Sequence, residues 1–154
     1  MRLAGRKPDL RQRALDYLAR REYSRQALRR KLSLHAGESD NLDALLDDLE
    51  QRRWLSDARF VEQRIAARRE KFGARRIAHE LRENGVAETL IAEALPQLQQ
   101  DEFGAALGAW RKKFGQPAQD ARERARQMRF LQGRGFSGEV IRRIVENSGD
   151  GQEY

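Results

Sequence analysis

The stretch ALDYLARREYSRQALRRKL, residues Ala14–Leu32, decides the fold of this chain because its pattern recurs twice further on. In this stretch an arginine is followed, three residues later, by an aromatic residue and then at once by a small residue. The three copies of the pattern are Arg20, Tyr23 and Ser24; Arg69, Phe72 and Gly73; and Arg111, Phe114 and Gly115. Copies at intervals of about 40 to 50 residues are typical of tandem repeats. The sequence therefore predicts three related modules.

Each module is predicted to be helical, because its apolar residues recur at the spacing of a helix with one buried face. The first helix shows this pattern at Leu10, Ala14, Tyr17 and Leu18. No stretch alternates apolar and polar residues for long enough to predict a strand. The predicted fold class is all-α, with three tandem three-helix repeats that form an elongated, curved array.

The predicted boundaries divide the chain at residues that start or stop helices. Ser24, Ser56 and Ser137 are expected N-caps, and Gly85 is an expected helix end. Trp54 and Leu55 are expected to pack between the first two modules. The predicted divisions are 1–55 for the first repeat, including a basic arm at 1–7, 56–100 for the second, 101–147 for the third, and 148–154 for a disordered tail.

Composition indicates what the modules contact. The 154 residues carry a formal net charge of +7, which favours an acidic partner such as nucleic acid, although a charge that serves only solubility is the open alternative. There is no cysteine, and no stretch approaches the length of about 20 apolar residues needed to span a membrane. We therefore expect a cytoplasmic protein in a reducing compartment, without membrane contact.

Catalysis finds little support in the residues. His35 and His79 have no histidine or cysteine near them at metal-ligand spacing, and the serines are explained as caps. The glycine-containing segments lack the arrangement of a phosphate-binding loop. We expect no enzyme activity, no metal, no cofactor and no small-molecule substrate.

Four segments together resemble the RecX family of regulatory proteins. They are the opening stretch at Ala14–Leu32, WLSDARFV at Trp54–Val61, GARRIAHELRENGV at Gly73–Val86 and RGFSGEVI at Arg134–Ile141. Each segment is a weak pattern alone, whereas four in this order and spacing are specific. The resemblance implies a bacterial regulator that binds the RecA recombinase filament on single-stranded DNA and restrains its assembly and activity. It would thereby modulate recombination and DNA repair.

The recurring basic residues are the candidate contacts for such a partner. Arginine suits carboxylates and phosphates because its planar guanidinium donates two parallel hydrogen bonds. For any single residue an exposed, solvated helix face is the alternative, and Arg68 is set apart because its stem is expected to cover the edge of a core. The candidates are Arg20, Arg21, Arg25, Arg29, Arg30, Lys31, Arg69, Lys71, Arg75, Arg76, Arg82, Arg111, Lys112, Lys113 and Arg134.

Two further features allow alternatives. Tyr23, Phe72 and Phe114 are assigned to the core, with stacking on nucleic-acid bases as the rival role. The acidic segment 40–50 is interpreted as a solvated face, with contact to a basic patch of the recombinase as the rival. Direct DNA contact, the mode of filament binding and the oligomeric state stay open.

A rival function from another class is a stand-alone helix-turn-helix repressor, because three-helix units also build DNA-binding domains. A recognition helix needs exposed Arg, Asn, Gln or Ser near its start to read base edges. The third helices are predicted to begin at 41–43, 87–89 and 137–139, each with an acidic residue nearby. An acidic residue there disfavours entry into a DNA groove.

We expect circular dichroism of the purified chain to show a mainly helical spectrum without a sheet component. Small-angle scattering is expected to give an elongated particle, because a tandem array buries its apolar residues between neighbours rather than in one large core. A compact, near-spherical scattering profile would contradict the tandem arrangement.

Overall fold

The structure, a computed structural model, describes residues 9–147 as an all-helical chain. Within this range the all-α prediction is confirmed, since nine helices and no strand are present. The predicted arm at 1–7 and tail at 148–154 lie outside the described residues. The helices are α1 Leu10–Arg20, α2 Arg25–Ser33, α3 Leu42–Gln51, α4 Asp57–Arg68, α5 Ala74–Glu83, α6 Glu88–Gln100, α7 Glu102–Lys113, α8 Ala121–Gly133 and α9 Gly138–Asn147.

Helix starts follow the predicted serine caps. Each serine hydroxyl accepts a hydrogen bond from the backbone N–H three residues further on, which satisfies a donor that the first helical turn leaves unpaired. The caps are Ser24 to Ala27 at 3.1 Å, Ser56 to Arg59 at 3.2 Å and Ser137 to Val140 at 3.3 Å. These three predictions are confirmed.

Two helix ends share a turn that contains a glycine with a positive φ. Gly85 follows α5 with a φ of 75°, and Gly135 follows α8 with a φ of 85°, a left-handed conformation that glycine adopts without strain. Leu81 and Leu131, four residues before each glycine, are fully buried. The predicted end at Gly85 is confirmed, and the same turn closes the second helix of the last module.

Contacts divide the chain into two compact units. The first comprises Met1–Gln63 with Asn84–Val86, and the second comprises Arg64–Glu83 with Ala87–Tyr154. The core of the first unit is built from one small, one aromatic and five leucine side chains: Ala14, Tyr23, Leu28, Leu32, Leu46, Leu49 and Leu55. The predicted repeat boundaries after residues 55 and 100 stay a prediction.

The second unit has its own core and two buried polar contacts that the pattern did not predict. Trp110 donates from Nε1 to Gln127 Oε1 at 2.9 Å, and both side chains are buried. Glu102 is also buried and accepts from the Ser137 N–H at 2.9 Å. The apolar part of this core comprises Ala106, Trp110, Leu131, Phe136, Ile141, Ile144 and Val145.

A recurring joint connects the small residue after two of the three aromatics to the end of a later helix. In the first unit, Ser24 Oγ donates to the Asn84 carbonyl at 2.6 Å. In the second unit, the Gly73 N–H donates to the Arg134 carbonyl at 2.8 Å. Both carbonyls directly precede the left-handed glycines that close α5 and α8. The repeat of the sequence is therefore also a repeat of contacts.

The aromatic residues divide between core and surface. Tyr23 is buried, as predicted, whereas Phe72 and Phe114 are only half-buried and follow the ends of α4 and α7. The packing role predicted for Trp54 is wrong, because 44% of this residue is exposed. The neighbouring Leu55 is buried as expected.

We expect Gly73→Ala to lower the free energy of unfolding by about 1–3 kcal/mol, measured by urea unfolding. An added Cβ would lie 2.6 Å from the Phe136 Cα, so backbone would have to move. Gly104→Ala in α7 is the matched control, since its Cβ would meet nothing within 4 Å. A helical alanine there is expected to stabilise by up to about 1 kcal/mol. Equal effects of the two substitutions would contradict the close approach.

Candidate partner-binding surface

Two of the basic residues predicted on α2, Arg25 and Arg29, pair with acidic residues of α3 in the first unit. Arg25 lies 2.6 Å from Asp47, 2.9 Å from Glu50 and 3.7 Å from Asp43. Hydrogen bonds to Glu50 and Asp47 raise the pKa of Arg25 above its ordinary value. Arg29 also pairs with Asp43. Arg25 and Arg29 are therefore partly neutralised within the unit, and the acidic segment is more than a solvated face.

The other predicted basic residues of this unit lie near aromatic rings or are exposed. The Arg21 guanidinium lies 4.2 Å from the centroid of the Tyr23 ring, and the Lys31 ammonium 5.8 Å from that of Tyr17. Arg20 lines a shallow surface hollow together with Tyr17. Arg30 is exposed, and its carbonyl accepts from Ser33 Oγ at 2.8 Å.

Several predicted residues of the second unit are also engaged. Arg69 pairs with Asp101. Arg82 donates to Glu88 at 2.6 Å and 3.2 Å, and this contact holds the pKa of the Glu88 carboxyl below its ordinary value. Arg75 and Arg111 are exposed at separate places. Within the second unit, ion pairs therefore engage Arg69 and Arg82 of the predicted residues.

Four of the predicted residues do come together in the second unit. They line a groove of about 640 Å³, whose charged walls carry five cations and a single carboxylate, Glu70. The cations are Lys71, Lys112, Lys113 and Arg134, joined by Arg68, which the sequence analysis set apart. We call this surface the basic groove.

Two half-buried phenylalanines complete the basic groove. The Arg134 guanidinium lies 5.0 Å from the ring centroid of Phe72 and 5.1 Å from that of Phe130. The Lys113 ammonium lies 5.7 Å from the Phe130 centroid. Such separations are within the range of about 6 Å for cation–π attraction, which lets like charges gather beside the rings.

Glu80 positions two arginines beside Phe72, Arg68 of the basic groove and the neighbouring Arg76. Its side chain is only 16% exposed and lies 3.4 Å from Arg68 and 3.8 Å from Arg76. The guanidiniums of these arginines lie 5.4 Å and 4.5 Å from the Phe72 ring centroid. Arg76 also donates to the Gly133 carbonyl at 3.1 Å. A carboxylate in α5 thus orients positive charge toward the basic groove.

Phe130 and Glu80 were missed by the sequence analysis. One signal for Phe130 was available, since this residue lies off the apolar stripe of α8 that leads to Leu131, where a buried aromatic is not expected. Its ring meets that of Phe114 edge to face, with centroids 5.4 Å apart. For Glu80 no signal existed, because its partners are known only after α4 and α5 have packed.

The basic groove has the chemistry of a polyanion site. Lysine and arginine side chains bind phosphate or carboxylate, and the exposed parts of the rings offer apolar contact. Within residues 9–147 no group of three histidine, aspartate or glutamate side chains is arranged to hold a metal ion. Over the same range no helix combines the length and apolar character needed to cross a membrane.

Comparison with known families identifies two segments of the chain. The model described as RecX, second three-helix domain, matches residues 56–95, and the model described as RecX, third three-helix domain, matches residues 100–145. Regulatory protein RecX of Leptothrix cholodnii is 46% identical over 145 residues, which cover 93% of this chain and 92% of that protein. Regulatory protein RecX of Chromobacterium violaceum is 44% identical over 152 residues, 99% of either chain.

Solved structures support the same fold. The crystal structure of RecX from Lactobacillus salivarius superposes with a TM-score of 0.72 at 17% identity, covering 91% of this chain and 94% of that one. A second crystal structure, of a regulatory protein RecX, gives a TM-score of 0.71 at 22% identity and covers 90% of this chain and 71% of that one. The resemblance and the tandem three-helix fold are thereby confirmed.

We expect the double substitution Asp43→Asn and Asp47→Asn to tighten binding of a labelled oligothymidylate, measured by fluorescence anisotropy. The two carboxylates compete with phosphate for Arg25 and Arg29, so their removal is expected to increase affinity roughly two- to tenfold. Thermal stability should change little, because exposed ion pairs contribute about 0–1 kcal/mol.

The matched control is Glu38→Gln with Glu62→Gln, which removes the same charge from exposed positions of the first unit. If both double variants bind equally well, Arg25 and Arg29 take no part in anion binding, and only the net charge matters.

Proposed function

The chain belongs to the RecX family of regulatory proteins, and on that premise we propose that it binds the RecA recombinase filament on single-stranded DNA. In this proposal it inhibits filament assembly, ATP hydrolysis and strand exchange, and so modulates recombination and DNA repair. It acts by binding rather than by catalysis.

The observation that carries the proposal is the basic groove. Among the described residues, five cations and one carboxylate line it. This excess of positive charge attracts a polyanion and does not help to pack a helical core. A recombinase filament presents DNA phosphates together with carboxylates of the recombinase. Lysine and arginine at the ends of α4 and α7 suit either group.

The internal ion pairs narrow the set of contact residues. Arg69 and Arg82 are bound to Asp101 and Glu88, and a partner would have to displace those carboxylates first. Lys71, Lys112 and Lys113 are exposed in the basic groove, and within residues 9–147 no carboxylate forms an ion pair with them. We therefore assign the main contact to these lysines with Arg134, and a secondary role to the paired arginines.

Tandem repetition fits this role. Helical modules built on one pattern can touch successive subunits of a filament, so each contact can be weak while the sum is strong. The half-buried Phe72 and Phe130 add apolar surface beside the cations.

The test measures DNA-dependent ATP hydrolysis by the recombinase as the chain is added. We expect inhibition by the unaltered chain, and a half-inhibiting concentration roughly tenfold or more higher for Lys112→Glu with Lys113→Glu. The matched control is Arg122→Glu with Arg124→Glu, which reverses two exposed charges on α8 outside the basic groove. That control should inhibit nearly as well as the unaltered chain.

Three outcomes would separate the readings. Unchanged recombinase turnover at saturating protein would overturn the proposed function. Equal losses in the two double variants would leave the inhibition but remove the basic groove from it. Tight binding to random duplex, unaffected by recombinase, would favour the stand-alone DNA-binding repressor instead.

A further inference from the structure

Trp54 stands apart from the other tryptophan of the chain. Trp110 is buried and hydrogen-bonded, whereas 44% of Trp54 is exposed directly after α3. The indole is the largest apolar side chain, and leaving it in water forgoes the burial that usually holds it in a core. Only one other large apolar residue of residues 9–147 is comparably exposed, Leu34 in the loop after α2.

Two guanidiniums lie beside the exposed indole and are held there. Arg11 and Arg52 have their Cζ atoms 5.8 Å and 5.2 Å from the ring centroid of Trp54. Asp48 accepts from Arg11 Nη1 at 2.9 Å and from Arg52 Nε at 3.1 Å. These bonds occupy part of each guanidinium, which carries five N–H donors. Asp48 thus orients two cations while leaving donors for another acceptor.

A third cation sits in a backbone conformation that favours glycine. Arg53 has a φ of 62°, and within residues 9–147 it is the only residue other than glycine with a positive φ. Its N–H donates to the Glu50 carbonyl at 2.9 Å, and the next N–H, of Trp54, donates to the Leu49 carbonyl at 3.0 Å. The corresponding turns after α5 and α8 use glycine without strain. Arg53 directly precedes the exposed Trp54 in the chain, and it lines a surface hollow together with Asp57 and Arg59. A strained backbone kept at such a position is typical of a functional contact.

These features together define a ligand class. A purely acidic peptide would match the guanidiniums but leave the indole unused, and an apolar protein surface would leave the guanidiniums unpaired. Single-stranded nucleic acid supplies both flat bases for the ring and phosphates for the cations. Duplex DNA hides its bases within the stack.

We propose that Trp54 with Arg11, Arg52 and Arg53, the Trp54 patch, is a binding site for single-stranded nucleic acid, with a base stacked on the indole and phosphates bound by the guanidiniums. The site belongs to the first unit and is separate from the basic groove of the second. It goes beyond the proposed function, because it assigns to the first unit a site that contacts bases as well as phosphates.

The experiment titrates the full chain with oligothymidylate in the absence of recombinase. Binding is followed by anisotropy of the labelled strand and by quenching of intrinsic tryptophan emission. Because Trp110 is buried, quenching reports on Trp54. Trp54→Ala should abolish the quenching and weaken binding by about fivefold or more. Trp54→Phe also lacks the emitting indole, but its affinity, measured by anisotropy, should lie between those of the unaltered chain and Trp54→Ala. Leu34→Ala, which trims the other exposed apolar side chain, is the matched control and should change neither signal.

Arg53→Gly separates binding from folding. Glycine relieves the strained turn, so the variant should melt at the same temperature or higher, while the lost charge lowers the salt dependence of binding by roughly 0.7 in the logarithmic slope. A duplex of the same length should bind more weakly and quench less.

Unchanged affinity and salt slope in Trp54→Ala and Arg53→Gly would overturn the proposal. If these variants bind the strand normally but lose inhibition of the recombinase, the Trp54 patch is a protein contact instead. The proposed function stands or falls separately, since Lys112→Glu with Lys113→Glu should leave the quenching of Trp54 in place.

Discussion

One backbone hydrogen bond places the parts of the basic groove. The Gly73 N–H meets the Arg134 carbonyl at 2.8 Å, which brings the start of α5 against the turn between α8 and α9. Phe72, one residue earlier, is thereby set beside the Arg134 side chain, 5.0 Å from ring centroid to guanidinium. Any side chain at residue 73 would force these backbones apart. The placement of Phe72 beside Arg134 in the basic groove thus depends on residue 73 having no Cβ.

The two units handle positive charge differently. In the first, carboxylates of α3 pair with Arg25 and Arg29 of α2, so the charge of these two arginines is balanced internally. In the basic groove, aromatic rings stabilise Lys113 and Arg134 instead of carboxylates. A ring face attracts a cation but does not cancel its charge. A phosphate approaching the groove meets nearly the full field of the lysines. Near Arg25 it must compete with Asp47 and Glu50.

The features predicted correctly depend on residues that are neighbours in the chain, whereas the features missed depend on which helices pack together. Serine caps and the helix end at Gly85 follow from a few neighbouring residues, and the structure has them where they were expected. The charge pairs between α2 and α3 and the role of Glu80 depend on which helices meet, which periodicity alone does not specify. Trp54 was assigned, together with Leu55, to packing between modules, whereas 44% of it is exposed in the structure. It follows Arg53, whose positive φ is not evident from the sequence.

The recurring joint also bears on how such a chain can evolve. Its acceptor is a backbone carbonyl at a helix end, and its donor is a serine hydroxyl in one copy and a backbone N–H in the other. A contact of this kind requires only a small residue at Gly73 and a small residue with a hydroxyl at Ser24. After gene duplication, a copied module would inherit the joint intact while its exposed faces diverged. One copy could then accumulate lysines and phenylalanines and another carboxylates, without either losing its place in the chain.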